Sequence, residues 1–155
     1  MKKRILYLMH VDWRWIKQRP HIFAEGLAQS FEVLVAHRAY LDSFRYPENK
    51  TFLQRAKLVP WLDRGATFWH HSDALLNRAR VRVLLRRFQP DLIWLCFPSL
   101  LGYLPPEAAG IPIVYDCMDL DVGFYDNPSD QRYIQNIAEA LFRRAALVVC
   151  SSQYL

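Results

Sequence analysis

Glycine, cysteine and long apolar runs are all scarce in this chain, and each shortage argues against a class of function. The 155 residues include 5 Gly and 3 Cys. After the first apolar run, Ile5 to Met9, no glycine occurs before Gly26. A dinucleotide-binding domain would place Gly-x-Gly-x-x-Gly there, and a P-loop protein also needs bare backbone against phosphate. NAD, FAD and P-loop binding are therefore not expected. Cys96, Cys117 and Cys150 follow no Cys-x-x-Cys or Cys/His spacing, so no metal site is expected either. Each cysteine ends an apolar run, as a buried, reduced thiol does. An odd count without a secretion signal points to the cytoplasm. The basic Met1-Lys2-Lys3-Arg4 is followed only by Ile5 to Met9 before Asp12 and Arg14 intervene, too short an apolar region for a signal peptide. The longest uncharged stretch, Leu92 to Pro106, contains Pro98, Pro105 and Pro106 and is too short to cross a bilayer. These shortages describe a soluble protein that touches a membrane at its surface, if at all.

What is present is an ordinary globular composition, 52% hydrophobic and 23% charged, with an unusual 14% aromatic. A domain of this size cannot bury so many rings, so some are expected at a ligand, membrane or domain interface. The net charge of +5 favours anionic partners without choosing among them. Much of the excess lies in Arg78, Arg80, Arg82, Arg86 and Arg87. Arg78, Arg82 and Arg86 stand at i, i+4 and i+8 and line one helix face, read as solvated, with acidic lipid headgroups at the inner membrane face as the alternative. No nucleic-acid-binding module is recognisable.

Strand-length apolar runs alternate with helical patterns along the whole chain. The expected strands are 5–9, 31–36, a weak edge strand 57–61 that contains Pro60, then 91–96, 111–116 and 146–150. Pro20 suits the first turn of a helix, with Phe23, Ala24, Leu27 and Ala28 inward and Gly26 allowing close approach to the sheet. A second helix starts at Ser72 or Asp73, buries Leu76, Ala79 and Val83, and stops at Gln89-Pro90. Asn127 and Pro128 open a third, with Ile134, Ile137, Ala138, Leu141 and Ala145 as its stripe. Repeated βα units with buried strands imply one α/β domain over 1–155: a Rossmann-like parallel sheet with helices on both faces and the first strand central. Such sheets bind ligands beyond the carboxyl ends of their strands.

Two segments at that edge carry chemistry. The loop after the first strand supplies Trp13 and Trp15, whose rings can stack on a sugar or base. At the following helix N-terminus Arg19 and His21 can meet an anion. After the fifth strand come the carboxylates of Asp116, Asp119 and Asp121. Asp116 and Asp119 are candidates for sugar hydroxyls, and Asp121 for a turn or cap. Their alternating spacing argues against a shared metal. Cys117 has no histidine at the spacing of a catalytic pair, and the His70-His71 pair has no acid or cysteine at ligand spacing.

Gln18-Arg19-Pro20-His21, Val114-Tyr115-Asp116-Cys117-Met118-Asp119 and Val148-Val149-Cys150-Ser151-Ser152 together resemble the N-terminal domain of GT-B-fold, retaining, family-4-like glycosyltransferases. The resemblance covers nearly the whole chain and implies half of a GT-B fold. A partner C-terminal domain would bind the UDP- or GDP-sugar. This domain would bind a sugar or lipid-linked acceptor for cell-envelope polysaccharide, with no cofactor and no obligatory metal. It points to Asp119 and His21 as catalytic residues and to Arg19, Asp116, Trp13, Trp15 and Ser151 as ligand-binding ones. Many relatives carry a histidine after the fifth strand where Met118 stands here, which leaves Asp119 as the stronger group in that loop. The resemblance also implies a further strand and closing helix after Leu155, so the chain is expected to be an incomplete domain, inactive alone. The alternatives are a binding or scaffolding subunit that docks a separate catalytic chain, and a phosphate-binding regulatory domain.

Overall fold

The computed structural model describes residues 2–39, 51–59 and 67–152, with side chains from Asp73 onward in the second helix. The elements are β1 (Arg4–Met9), α1 (Arg19–Leu27), β2 (Glu32–His37), β3 (Gln54–Lys57), α2 (Thr67–Phe88), β4 (Leu92–Leu95), β5 (Ile113–Cys117), α3 (Pro128–Arg144) and β6 (Leu147–Cys150). Turns of 3-10 helix, Pro98–Tyr103 and Pro106–Ala108, replace a helix between β4 and β5, and a third turn spans Asp121–Phe124. The sheet has six strands in the order β3-β2-β1-β4-β5-β6, and every pairing is parallel. The chain runs outward from β1 to β3, then returns to β4 and runs the other way. The switch point, where such sheets open a crevice, therefore lies between β1 and β4.

Register explains which helix covers which face. Tyr7 pairs with Trp94, and Trp94 with Val114, so these share a face. Leu95 and Tyr115 are also register partners and share the other. Phe23 of α1 meets the Trp94 ring edge-on at 6.0 Å, while Phe142 of α3 meets Tyr115 at 5.3 Å. The two helices thus lie on opposite faces, as right-handed crossovers running in opposite directions require. Burial on both faces is why β1 reads as an unbroken apolar run: Ile5, Leu6, Tyr7, Leu8 and Met9 are all buried. Each such side chain removed from water contributes about 1.5–3 kcal/mol before entropy is counted.

Local chemistry sets several boundaries as expected. Asn127 accepts the Ser129 amide at 2.9 Å and caps α3. The chain leaves α2 through Gln89 in the left-handed region, φ 48°, directly before Pro90. Ile134 and Leu141 are the buried positions of α3.

Four expectations are corrected. The edge strand is Gln54–Lys57 rather than 57–61, and Pro60 and Trp61 lie outside the described residues. Past the strand, the Leu58 amide still donates to His37 O of β2, and the Val59 amide turns away to donate to Asn77 Oδ1. The second helix begins earlier, at Thr67, and its inward stripe is Asp73, Asn77, Val81, Leu85 and Phe88. Asp73 and Asn77 hydrogen-bond to each other, so a polar pair occupies the inward positions. Leu76, Ala79 and Val83 are exposed instead. Gly26 faces open space rather than the sheet. Cys150 is exposed, unlike Cys96 and Cys117, because β6 is the edge strand and only one neighbour covers it.

Candidate functional site at the carboxyl edge of the sheet

The loop between β1 and α1 is built around two buried rings. Trp13 is 1% exposed, with its ring centroid 4.9 Å from that of His21. His21 takes the Gln18 amide on Nδ1 at 3.1 Å, and its Nε2 lies 3.3 Å from the Trp13 carbonyl. A neutral imidazole protonated on Nε2 satisfies both contacts, and burial, the larger influence, lowers the His21 pKa accordingly. This is the return arm of a capping box between Gln18 and His21, with histidine in the place of the usual Glu or Gln. Both ring nitrogens are therefore committed to fixing the first turn of α1. Asp12, also buried, accepts the Arg14 amide and closes the turn. Trp15 is the exposed ring of the loop, at 36%.

That first turn carries Arg19 to the end of β5, nearly a hundred positions along the chain. Arg19 Nη2 lies 2.8 Å from Asp116 Oδ1, and Nε lies 3.2 Å from the same oxygen. The Asp116 carboxylate is 0% exposed, whereas the Arg19 side chain is 32% exposed and lies over the Phe23 ring. Burial pushes the Asp116 carboxyl above the usual carboxylate range, against the opposing pull of Arg19. Hydrogen bonding to Asp116 raises the guanidinium pKa, and the Asp119 charge adds to this. Tyr7 Oη is buried with no hydrogen-bond partner among the described residues, and it lies in the field of Asp116 and Arg19.

Beyond β5, Asp119 is exposed and its backbone carbonyl faces the Cys117 thiol. Ser151 donates its hydroxyl to Met118 O at 2.5 Å, and its amide bonds Cys117 O, so the ends of β5 and β6 are tied together. Asp121 opens its 3-10 turn and accepts the Tyr115 hydroxyl at 3.2 Å. Its pKa is raised to about 6 by burial. Arg19, Asp116, Asp119 and Ser151 therefore gather on one edge, while His21 and Trp13 lie beneath it as support.

A second cluster at the same edge had no counterpart in the sequence reading. Arg38, directly after β2, donates through Nε to Tyr103 Oη at 3.1 Å. Tyr103 donates in turn to Asp73 of α2, and Asp73 accepts Asn77 Nδ2 at 2.9 Å. Arg38, Asp73, Asn77 and Tyr103 are all buried. His10, directly after β1, stacks on Phe97 at 4.8 Å and contacts Cys96 Sγ at 3.3 Å. Burial first, then the charges of Arg38 and His21, bring its pKa down to about 4, so the ring is neutral at pH 7. The rule that ligands meet the ends of strands would have pointed to His10 and Arg38. Nothing in the sequence joins Asp73 to Tyr103.

The arginine stripe of α2 is used within the fold. Arg78 donates to Gly102 O at 3.1 Å, and Arg82 pairs with Glu107 at 2.6 Å. Arg86 also reaches Glu107, at 3.8 Å. Arg78 and Arg82 thus tie α2 to the segment after β4, while Arg86 stays 72% exposed, so the stripe is solvated at its far end. The side chains of His70 and His71 lie outside the described residues. No helix among the described residues is long and apolar enough to cross a membrane.

The glycosyltransferase family 4 model matches residues 20–155. The chain belongs to that family. No curated protein matches the sequence. Among solved structures, this family 4 domain resembles sucrose-phosphate synthase from Thermosynechococcus elongatus, with TM-score 0.67 and 12% identity over 94% of the chain. It also resembles a Streptomyces glycosyltransferase, with TM-score 0.56 and 20% identity over 96%. A third likeness is UDP-GlcNAc 2-epimerase from Methanocaldococcus jannaschii, with TM-score 0.54 and 11% identity over 97%. The chain covers 42%, 50% and 40% of those three chains respectively. The fold is one Rossmann-like half of a GT-B architecture, and an epimerase among the likenesses shows that fold alone does not give the reaction.

Proposed function

We propose that this domain is the acceptor-side half of a retaining glycosyltransferase. The full protein would move a sugar from a UDP- or GDP-sugar, held by a partner C-terminal domain, to a cell-envelope glycan or lipid-linked acceptor at the cytoplasmic face of the membrane. The observation that carries the reading is the Arg19–Asp116 pair with exposed Asp119 beside it, at the carboxyl edge of the sheet. Arg19 spends Nε and Nη2 on Asp116, which holds the guanidinium in one orientation and leaves the Nη1 donors for a ligand oxygen. Asp119 accepts a hydrogen bond from a sugar hydroxyl, while Trp15 offers an exposed face for stacking. Ser151 holds the Asp119 loop against β6, and His21 positions Arg19 rather than touching substrate.

In transfer, the anomeric C–O bond to the departing diphosphate breaks and a new C–O bond forms to the acceptor oxygen. The acceptor's proton leaves with a phosphate oxygen of the departing group. The sugar passes through an oxocarbenium-like state, which nearby carboxylates such as Asp119 stabilise. Residues 1–155 alone should bind UDP or GDP more weakly than about 1 mM, or about −4 kcal/mol, because most nucleotide contacts belong to the partner domain. Isothermal calorimetry checks this, and micromolar binding would reassign this half to the donor.

A further inference from the structure

The Arg38–Tyr103–Asp73 chain forms one wall of a pocket between the end of β2, the 3-10 turn after β4 and the start of α3. Tyr125, Tyr133, Ser99 and Gly102 line it as well. Its volume is about 30 Å³, room for one or two hydroxyl-sized groups and not for a ring. Ser99 Oγ is buried there with no hydrogen-bond partner among the described residues. A buried hydroxyl left without a partner costs about 1–3 kcal/mol, so the site favours an incoming polar group. The charge balance argues against an anion, since Asp73 and Asp130 line the pocket against the single guanidinium of Arg38.

We propose that this pocket is a subsite that receives one hydroxyl arm of a neutral sugar in the acceptor, with the ring resting against Tyr125 and Tyr133. The arm donates to Asp73 and exchanges a hydrogen bond with Ser99 Oγ. Arg38 and Tyr103 hold Asp73 in place. Arg38 follows β2, Tyr103 follows β4 and Asp116 ends β5 in an all-parallel sheet, which puts the pocket and the Arg19–Asp116 pair on the same edge. An acceptor can therefore be gripped at one end while it reacts at the other. The subsite rests on the acceptor-side reading above.

Two substitutions test it. Ser99→Ala removes the buried hydroxyl. Gly102→Ala adds a methyl that meets Ala74 Cβ at an ordinary 3.8 Å and narrows the pocket. Amide chemical shifts of the protein are followed during titration with the methyl glycosides of glucose, galactose and mannose, and with inorganic phosphate as a control. At least one glycoside should bind saturably with shifts centred on Ser99 and Tyr103. Ser99→Ala should weaken that binding about three- to tenfold with Tm unchanged or raised, and Gly102→Ala should weaken it further. Saturable shifts with phosphate alone, or glycoside binding that both variants leave untouched, would overturn the subsite. So would the absence of any saturable glycoside shift, a pocket that holds resident water only. Glycosyl transfer by the full-length protein that both variants leave intact would sink the subsite and spare the proposed function. Pocket binding by a full-length protein without transfer would do the reverse.

Discussion

The two ionic clusters at the carboxyl edge use the same pair of groups, a guanidinium and a carboxylate, and differ in how much of that chemistry the fold consumes. In the Arg38–Tyr103–Asp73–Asn77 cluster every named side chain is buried: Arg38 donates to Tyr103, and Tyr103 and Asn77 both donate to the Asp73 carboxylate. In the Arg19–Asp116 pair the carboxylate is fully buried, yet a third of the arginine side chain stays exposed. The first cluster is a frame that shapes a pocket. The second is a presented group whose orientation the fold has fixed in advance. Position at the functional edge is common to both, and they differ in residual exposure: the first cluster borders a small pocket with buried groups, and the second keeps part of its guanidinium at the surface.

The largest expected effect of breaking this comparison falls on the frame. Asp73→Ala strands the buried Arg38 guanidinium and the Tyr103 hydroxyl, and should cost about 3 kcal/mol of unfolding free energy. Urea unfolding checks this as a lower midpoint at unchanged slope. Arg19→Ala should cost less, about 2 kcal/mol, with a signature in pH. Without the guanidinium the buried Asp116 carboxyl moves still higher, so the folded state holds its proton more tightly than the unfolded chain does. The variant's deficit against the parent should then be smallest near pH 4 and grow toward pH 7, a trend that thermal melts across this range would reveal. A pH-independent deficit would mean that Asp116 is not the group responding.

A smaller effect follows from Asp121, whose pKa is raised to about 6. A carboxyl raised in the folded state contributes stability that is lost as pH rises from its unfolded value of about 3.9 to about 6. Asp121→Asn keeps an acceptor for Tyr115 and does not ionise. Its stability relative to the parent should therefore improve between pH 4 and 6 and stay level above that. Parallel melting curves for the two proteins would contradict the assignment.

Much of this architecture was legible because buried parallel strands announce themselves as unbroken apolar runs. Ile5–Met9 and the fifth-strand run that leads to Asp116 place two loops at one end of a sheet, and this alone brings Arg19 toward Asp116. The difficulties arose where polar groups are buried. Asp73 and Asn77 occupy the inward face of α2, so the apolar positions 76, 79 and 83 misled the helical reading. Leu58 is buried in the core and its amide still meets β2, while the Val59 backbone turns to Asn77 of α2, so the apolar run outlasts the strand. The role of His21 depends on which backbone groups its ring nitrogens meet, and that of Trp13 on the His21 ring beside it, and residue type does not carry that information. The use of Arg82 and Arg86 could not be read either, because their partner Glu107 lies in an irregular segment.

The claim that the edge around Arg19 and Asp116 serves substrate rather than stability is tested most directly at Asp119. Its side chain is exposed at the end of β5, so removing it should leave unfolding free energy within about 0.5 kcal/mol of the parent. In the full-length protein, turnover and Tm would be measured side by side for Asp119→Ala. A loss of turnover of about a hundredfold, or about 2.7 kcal/mol of barrier, at unchanged Tm is the expected result. Unchanged turnover, or turnover and Tm falling together, would contradict the account.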